Sequence, residues 1–482
     1  MSDLVKVTIE GREVEVPRGT TILEAAKHAG VLIPHYCYHP SLPIAGVCRM
    51  CLVEVEGWPE LAASCATTVA EGQVVHVSSA QARAARQGVL EFLLINHPLD
   101  CPICDQAGEC ELQDYVFQEG RSGTRYGAYA KRFNPVEDFG PDVLYVPNRC
   151  ILCTRCVRFM EHVAGEEVLN VSERGDRAYI GIDTGHTLDH AWSGNVVDLC
   201  PVGSLISKDF LHKARAWDLD RTASVCPGCT QGCSVMLETR DNTVLRVKPR
   251  PNAEVNRHFI CDYGRLNYDW LNRADRIEVP LVQENGRLVP ADWDRAIERT
   301  ADLLRSAKAP WVGLVSAGVS CEALEAAARL LKMGGGAGAF RVAEGEEAPL
   351  PGVPDLALRK ERAPNVHGAV AAGFGRDWDR AVAEARHAGL VFVLDEDLKG
   401  VEALPSGVPL IYVGTVLPQA ARGAAAVLPC ANMAEEEGSF VNLRGKRQAY
   451  FQAKTPPGMA RPAAWVLEEI LAALGAGTGV AA

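Results

Sequence analysis

Seventeen cysteines stand out in this sequence, fifteen of them between Cys37 and Cys261, with only Cys321 and Cys430 beyond. Their odd number rules out complete disulfide pairing. The amino-terminal run MSDLVKVTIEGREVEVPRG has no apolar core of signal-peptide length. Clustered thiols without an export signal point to metal or redox work. The fifteen fall into four sets. The first is Cys37-x10-Cys48-x2-Cys51-x13-Cys65. The third is Cys150-x2-Cys153-x2-Cys156, closed by the distant Cys200-Pro201, and the fourth is Cys226-x2-Cys229-x3-Cys233-x27-Cys261. Each supplies four thiolates, the number an iron–sulfur core needs. Zinc is the competing occupant, because Cys-x2-Cys knuckles bind it well. In the third set, the position after Cys156 that would serve a neighbouring cluster in a bacterial ferredoxin run is Met160, so Cys200 is the remote ligand.

The second set has only three cysteines, in INHPLDCPICDQAGEC: Cys101, Cys104 and Cys110. The spacing His97-x3-Cys101 puts a histidine just upstream of them, and an imidazole can replace a thiolate at iron. A lone histidine here could equally cap the helix before it or bond a backbone carbonyl. The other three sets use up every nearby cysteine, and Pro98 ends the helix at His97, leaving its ring free to turn toward the cysteine loop. That leaves His97 as the best nearby fourth donor.

These sets need elements to hold them. VKVTIEG and REVEVPRG alternate and read as a hairpin; TTILEAAKHAG follows as a short helix with Thr20 or Thr21 as N-cap and Gly30 past its end. That is how a β-grasp ferredoxin begins, which favours [2Fe–2S] for the first set. Ser79 to Ile95 reads as a helix with Val89, Leu90, Leu93 and Leu94 as its apolar stripe. Residues 121–140 read as loop, and the span from Cys150 to Cys200 has weak strand character. SVMLETRDNTVLRVKP reads as a hairpin around Asp241-Asn242. Beyond about Leu271 the pattern becomes α/β: WVGLVSAG and GLVFVLDE as buried strands, CEALEAAARLLKMGG as a helix with a glycine stop, a proline-rich connection over 349–364, and a disordered tail, GAGTGVAA. The GGGAG at Gly334 to Gly338 follows a helix and fails as a dinucleotide fingerprint. A net charge of -12 offers no basic footprint for nucleic acid, and no run of 18 apolar residues predicts a membrane span.

The constellation resembles the family of large iron–sulfur subunits of bacterial NADH–quinone oxidoreductase, respiratory complex I. YCYHPSLPIAGVCRMCLVEVEG resembles the family's [2Fe–2S] loop, NHPLDCPICDQAGECELQD its cubane motif of one histidine and three cysteines, and RCILCTRCVRF with DLCPVGSL its next [4Fe–4S] site. The Cys226–Cys261 set resembles an extra cubane of some bacterial members, off the main electron route. GRLVPADWDRAI and VLPCANMAEEEGSFVNLRGKRQ are similar to molybdopterin oxidoreductases, although Arg444 stands where that family tends to be acidic and only 221 residues follow Cys261.

The resemblance implies a multidomain α+β and α/β chain: a β-grasp [2Fe–2S] ferredoxin domain over 1–80, [4Fe–4S] domains over 81–130, 131–217 and 218–272, and a shortened molybdopterin-oxidoreductase-like α/β domain over 273–474, with the tail at 475–482. It implies one [2Fe–2S] cluster on Cys37, Cys48, Cys51 and Cys65. It also implies three [4Fe–4S] clusters, on His97, Cys101, Cys104 and Cys110; on Cys150, Cys153, Cys156 and Cys200; and on Cys226, Cys229, Cys233 and Cys261. No molybdopterin is expected, and no NADH, flavin or quinone site. The implied function is electron transfer from an NADH-oxidising flavoprotein, beside a small [2Fe–2S] subunit, toward quinone-module subunits. The implied location is peripheral, on the cytoplasmic side of the inner membrane, touching the membrane only through partners. A formate dehydrogenase-like molybdenum protein, the iron–sulfur subunit of an NAD-linked hydrogenase and a zinc-stapled scaffold are the alternatives. Cys321 and Cys430 read as buried small residues.

Overall fold

A computed structural model describes residues 3–127, 131–401 and 407–475. The predicted disordered tail lies, past Gly475, outside the described residues. The chain divides into two units, Met1–Asp218 with Leu350–Pro354, and Leu219–Pro349 with Asp355–Ala482.

The first unit opens with the predicted hairpin. Strands β1 (Leu4–Ile9) and β2 (Arg12–Pro17) pair antiparallel, Val5 opposite Val16 and Val7 opposite Val14. Glu10 and Gly11 both take positive φ, 50° and 74°, the geometry of a two-residue hairpin turn whose twist matches the strands. Helix α1 (Ile22–His28) starts at Thr21, whose hydroxyl accepts from the Glu24 N–H at 3.3 Å, so Thr21 rather than Thr20 is the cap. Strands β3 (Leu52–Val55), β4 (Ala62–Ala63) and β5 (Gln73–His76) complete a sheet of order β2-β1-β5-β3-β4, in which β1 and β5 are parallel. The alternation of β1 sends Val5, Val7 and Ile9 into a core with Ile22, Ala25 and Val53.

Helix α2 (Ala80–Asn96) is capped by Ser79, which accepts from the Ala82 N–H at 3.2 Å, and stops at His97, extended at φ −63° and ψ 129° before Pro98. Its predicted stripe needs correction. Only Leu90 of the four is fully buried; Val89 and Leu93 pack at the edge of the core, and Leu94 is 37% exposed. The neighbouring strands and helices cover one narrow side of this helix, and its buried residues are Ala82, Arg86 and Leu90. Helix α3 (Glu111–Glu119) begins directly after Cys110. Residues 121–140 are irregular where described, except for a short strand at Glu137–Asp138 that pairs with Val143–Tyr145. Helix α4 (Arg155–Phe159) holds Cys156, and the strands Leu169–Ser172 and Tyr179–Ile182 form the weakly foreseen pair before Cys200.

In the second unit Asp220–Val225, Ser234–Arg240 and Thr243–Pro249 form an antiparallel sheet, its hairpin turning at Asp241 and Asn242, both with positive φ. A seven-stranded sheet follows. The parallel strands Ala426–Pro429, Leu410–Gly414, Leu390–Leu394, Trp311–Ser316 and Ala337–Arg341 lie side by side, and the hairpin Leu281–Glu284 with Arg287–Pro290 adds antiparallel at one edge. Alternate residues feed two cores. Leu390, Phe392 and Leu394 enter one, and Val391 and Val393 the other, which is why this strand reads as an unbroken apolar run. The helix Cys321–Met333 is capped by Ser320 and ends at Gly334, as its glycine stop predicts. The proline-rich connection contains a small strand pair, Ala348–Pro349 with Ala357–Leu358.

Candidate metal centres

The first set sits in the loops beside α1 and β3. Cys37, Cys51 and Cys65 are buried, and Cys48 is partly so. The turn from Cys48 to Cys51 needs a left-handed residue, and Arg49 takes φ 55°. Contact with the thiols of Cys48 and Cys65 holds Cys37 well below the usual thiol range, with help from the backbone N–H groups of Cys48 and Val47. Cys51 is lowered to about 6 by the Cys65 thiol, against its burial. The four sulfurs therefore lie in a chain of contacts, Cys48 to Cys37 to Cys65 to Cys51, and those with depressed values favour the thiolate a metal needs.

The second set surrounds a cavity of about 240 Å³, lined by His97, Cys101, Cys104 and Cys110 together with Arg149, Phe117 and Gly203. The structure thus brings all four predicted donors to one space. His97 enters it because α2 stops there, and Cys110 because it caps α3, where N–H groups of Gln113 and Leu112 lower its thiol against the burial that pushes it up to about 11. Burial, then the charges of Lys131 and Arg149, bring the His97 imidazole down to about 4. It is therefore neutral at pH 7 and has a lone pair to donate. Gly203 fits the wall so closely that a Cβ there would lie 2.2 Å from the Cys104 sulfur.

Cys150, Cys153, Cys156 and Cys200 of the third set line a second, narrow cavity with Tyr145, Thr154 and Val202. Leu152 and Thr154 take φ 52° and 59°, which folds the three close cysteines around one point, and the Leu152 N–H reaches the Cys150 sulfur at 3.4 Å. Burial raises all four thiols: Cys150 to about 11, Cys153 to about 12, Cys156 well above its usual range, and Cys200 upward. A cationic core held by these four would supply the charge that lets them ionise.

The fourth set lies in the second unit. Cys226, Cys229, Cys233 and Cys261 are buried, and the first, second and fourth lie close enough to raise the Cys233 thiol, after burial itself. The N–H groups of Gly228, Gly264 and Arg359 point at the sulfurs of Cys226, Cys261 and Cys229 at 3.4, 3.4 and 3.5 Å. Of the two remaining cysteines, Cys321 is buried and bonded to Asn365 Oδ1 at 3.3 Å, and Cys430 is buried just past the strand Ala426–Pro429. Among the described residues no three His, Cys, Asp or Glu side chains close on a point that would hold a single metal ion. The second and third sets instead line spaces with a donor on each side, which suits a core with several corners.

Sequence reasoning passed over the arginines of RCILCTRCVRF. Arg149 is paired with Asp100 at 2.9 Å, and Arg155 with Glu111 at 3.0 Å while also bonding the Tyr38 carbonyl at 3.0 Å. Arg158 bonds the carbonyls of Cys37 and Cys153. All three are buried. Their interleaving with the cysteines was the available signal.

Five family models match: a 2Fe-2S iron-sulfur cluster binding domain over 2–80, an NADH-ubiquinone oxidoreductase-G iron-sulfur binding region over 86–125, a ferredoxin-like domain of NADH-quinone oxidoreductase subunit 3 over 140–206, a molybdopterin oxidoreductase Fe4S4 domain over 219–273, and molybdopterin oxidoreductase over 376–473. The G subunit of NADH-quinone oxidoreductase from Rickettsia bellii is 45% identical over 63% of this chain and 44% of its own length. The chain is homologous to the G subunits of NADH-quinone oxidoreductases. The mitochondrial 78 kDa subunit of NADH-ubiquinone oxidoreductase from Neurospora crassa is 46% identical over 62% of this chain and 40% of its own. The chain spans less than half the length of each of these two relatives. A solved NAD+-reducing [NiFe]-hydrogenase chain is 31% identical, covering 44% of this chain and 90% of its own, with a TM-score of 0.40. The fold class is as expected: a [2Fe–2S] ferredoxin domain, [4Fe–4S] regions and a molybdopterin oxidoreductase region in a mixed α/β chain. The chain carries domains of iron–sulfur binding families, and among its described residues no helix is long and apolar enough to cross a membrane.

Proposed function

We propose that this chain is an electron-carrying iron–sulfur subunit of an NADH–quinone oxidoreductase, taking single electrons from an NADH-oxidising flavoprotein and passing them toward quinone. One observation carries the reading. Cys37, Cys110 and Cys153, one from each of the first three sets, belong to a single buried apolar cluster with Tyr36, Leu112 and Val202, and Cys48 and Cys200 pack against it. Three four-donor sites joined by one dry core form a path; three separate structural staples have no need of it. When bound, iron–sulfur clusters at these sites would carry single electrons through changes of iron valence. The chain's own residues hold the donors, exclude water and set the local charge. His97, Cys101, Cys104 and Cys110 would hold one cubane, Cys150 to Cys200 a second and Cys226 to Cys261 a third, with the [2Fe–2S] core on Cys37, Cys48, Cys51 and Cys65.

The exposed apolar side chains Leu99, Ile103 and Phe117 beside the His97 cavity support a docked neighbour on that side, in the manner of a peripheral-arm subunit on the cytoplasmic face of the membrane. In the second unit a cavity of about 700 Å³ lies over the carboxyl ends of the parallel strands, lined by residues such as Ser316, Arg341, Asp395 and Glu396. We propose that it holds no molybdopterin, as the resemblance to the large complex I subunits implies.

Elemental analysis of anaerobically purified protein should give about fourteen irons per chain, with little zinc. Stoichiometric molybdenum, or zinc in place of iron, would overturn the proposal. A flavoprotein and membrane quinone module should co-purify; a hydrogenase component in their place would move the chain to the hydrogenase reading. His97→Cys should keep a cubane and lower its midpoint potential, because a neutral ligand is exchanged for an anionic one. An unchanged midpoint with an unchanged magnetic signal would make His97 a bystander.

A further inference from the structure

Arg158 lies in α4, two residues beyond Cys156, and is buried. Its guanidinium donates to the Cys37 carbonyl at 2.5 Å, to the Pro43 carbonyl, to the Cys153 carbonyl at 3.2 Å and to the Thr154 hydroxyl at 3.3 Å. Every one of these acceptors is neutral. The other buried arginines near these sets differ: Arg86 has Glu119, Arg149 has Asp100 and Arg155 has Glu111. Among the described residues Arg158 has no carboxylate within ion-pair reach.

A buried guanidinium with only neutral partners is expensive to keep, and natural chains place an anion beside it. The carbonyls it grips belong to Cys37 and Cys153, a proposed ligand from each of two different sets. With iron–sulfur clusters bound at both sets, it would lie between two anionic groups and be compensated from either side. One side chain thus spans more than 110 residues of sequence to join the two turns.

We propose that Arg158 is a positioning residue shared by two redox centres, the Cys37 set and the Cys150 set: it locks their cysteine turns together and, as the cation common to both, raises the midpoint potential of each. This rests on the electron-carrying reading above. In the step it serves, one electron leaves the reduced centre, which is oxidised, and enters the other, which is reduced. No bond or proton changes, so the guanidinium keeps its contacts throughout. Reduction adds negative charge, which a nearby fixed cation stabilises at whichever centre holds the electron.

The test is a redox titration of the anaerobically purified complex, followed by electron paramagnetic resonance of both centres, with iron analysis of the same samples. Arg158→Gln removes the charge but retains a donor; Arg158→Lys retains the charge but breaks the fork. The Gln variant should lower both midpoints together, while the Lys variant keeps them close to native. Failure of Gln to load the two centres while Lys loads them would equally support a need for the cation. Unchanged midpoints in Gln, or a shift at one centre only, would overturn the proposal. So would loss of both centres in Gln and Lys alike, since the fork would then be a fold constraint alone. Missing signals from these centres in the native protein would instead sink the electron-carrying reading itself.

Discussion

Gly203→Val should remove the proposed metal centre of the His97 set without replacing any of its four donors. Gly203 lies three residues past Cys200, yet its Cβ position is 2.2 Å from the Cys104 sulfur and 3.1 Å from the Gln106 Cβ. The backbone has little room to retreat. The neighbouring Pro201 carbonyl accepts from the Glu111 N–H at 3.0 Å, and the Gly203 carbonyl takes a bond from the buried Arg149 at 3.4 Å. A branched side chain must therefore push Cys104 out of the cavity wall. Iron content should fall by about four per chain, with the signals of the Cys37 and Cys226 sets retained. Under the proposed function, electron transfer through the complex should be lost along with that centre. Gly203→Ala should show the same defect in milder form. Full iron content with a native signal from the His97 centre in the valine variant would contradict the close approach.

Arg86→Ala should destabilise the first unit by about 3 kcal/mol, the scale for breaking one partner out of a buried ion pair. Arg86 is 1% exposed. Its Nε donates to Glu119 at 3.0 Å, and Nη1 donates to the carbonyls of Val77 at 2.9 Å and Leu52 at 3.4 Å. One guanidinium thus ties α2 to β3, to the residue after β5 and to the end of α3, the helix that begins just after Cys110. Glu119→Ala should weaken the unit comparably, because it strands the buried cation. Denaturant unfolding monitored by the [2Fe–2S] absorbance would measure both. A loss below about 1 kcal/mol in each would mean that water replaces the lost partner without strain.

Much of the donor chemistry was legible in the sequence because it is local. The Cys-x2-Cys turns, the Glu10-Gly11 hairpin turn and the Thr21 and Ser79 caps depend on residues within a few positions of one another. His97 stood out as a candidate donor because Pro98 dictates where α2 ends and the count of the other cysteines left no nearer one, and the structure places it in the cavity wall with Cys101, Cys104 and Cys110. The buried strands of the second unit announced themselves by unbroken apolar runs, since a parallel sheet covered on both faces has no polar side.

What remained hidden depends on which distant residues meet. The stripe of α2 was overread because amphipathic spacing shows which side could be buried, whereas the partner's width decides how much is; Leu94 stays partly exposed for that reason. The order of the seven strands, the grip of Arg158 on two cysteine turns and the closeness of Gly203 to Cys104 leave no mark on spacing. The sequence alone determined which atoms could ligate and how each turn presents them. Only the tertiary structure decided which sets share a dry core, which cations lie between them and where a single methyl group no longer fits, because packing and desolvation act between segments that chain order keeps apart.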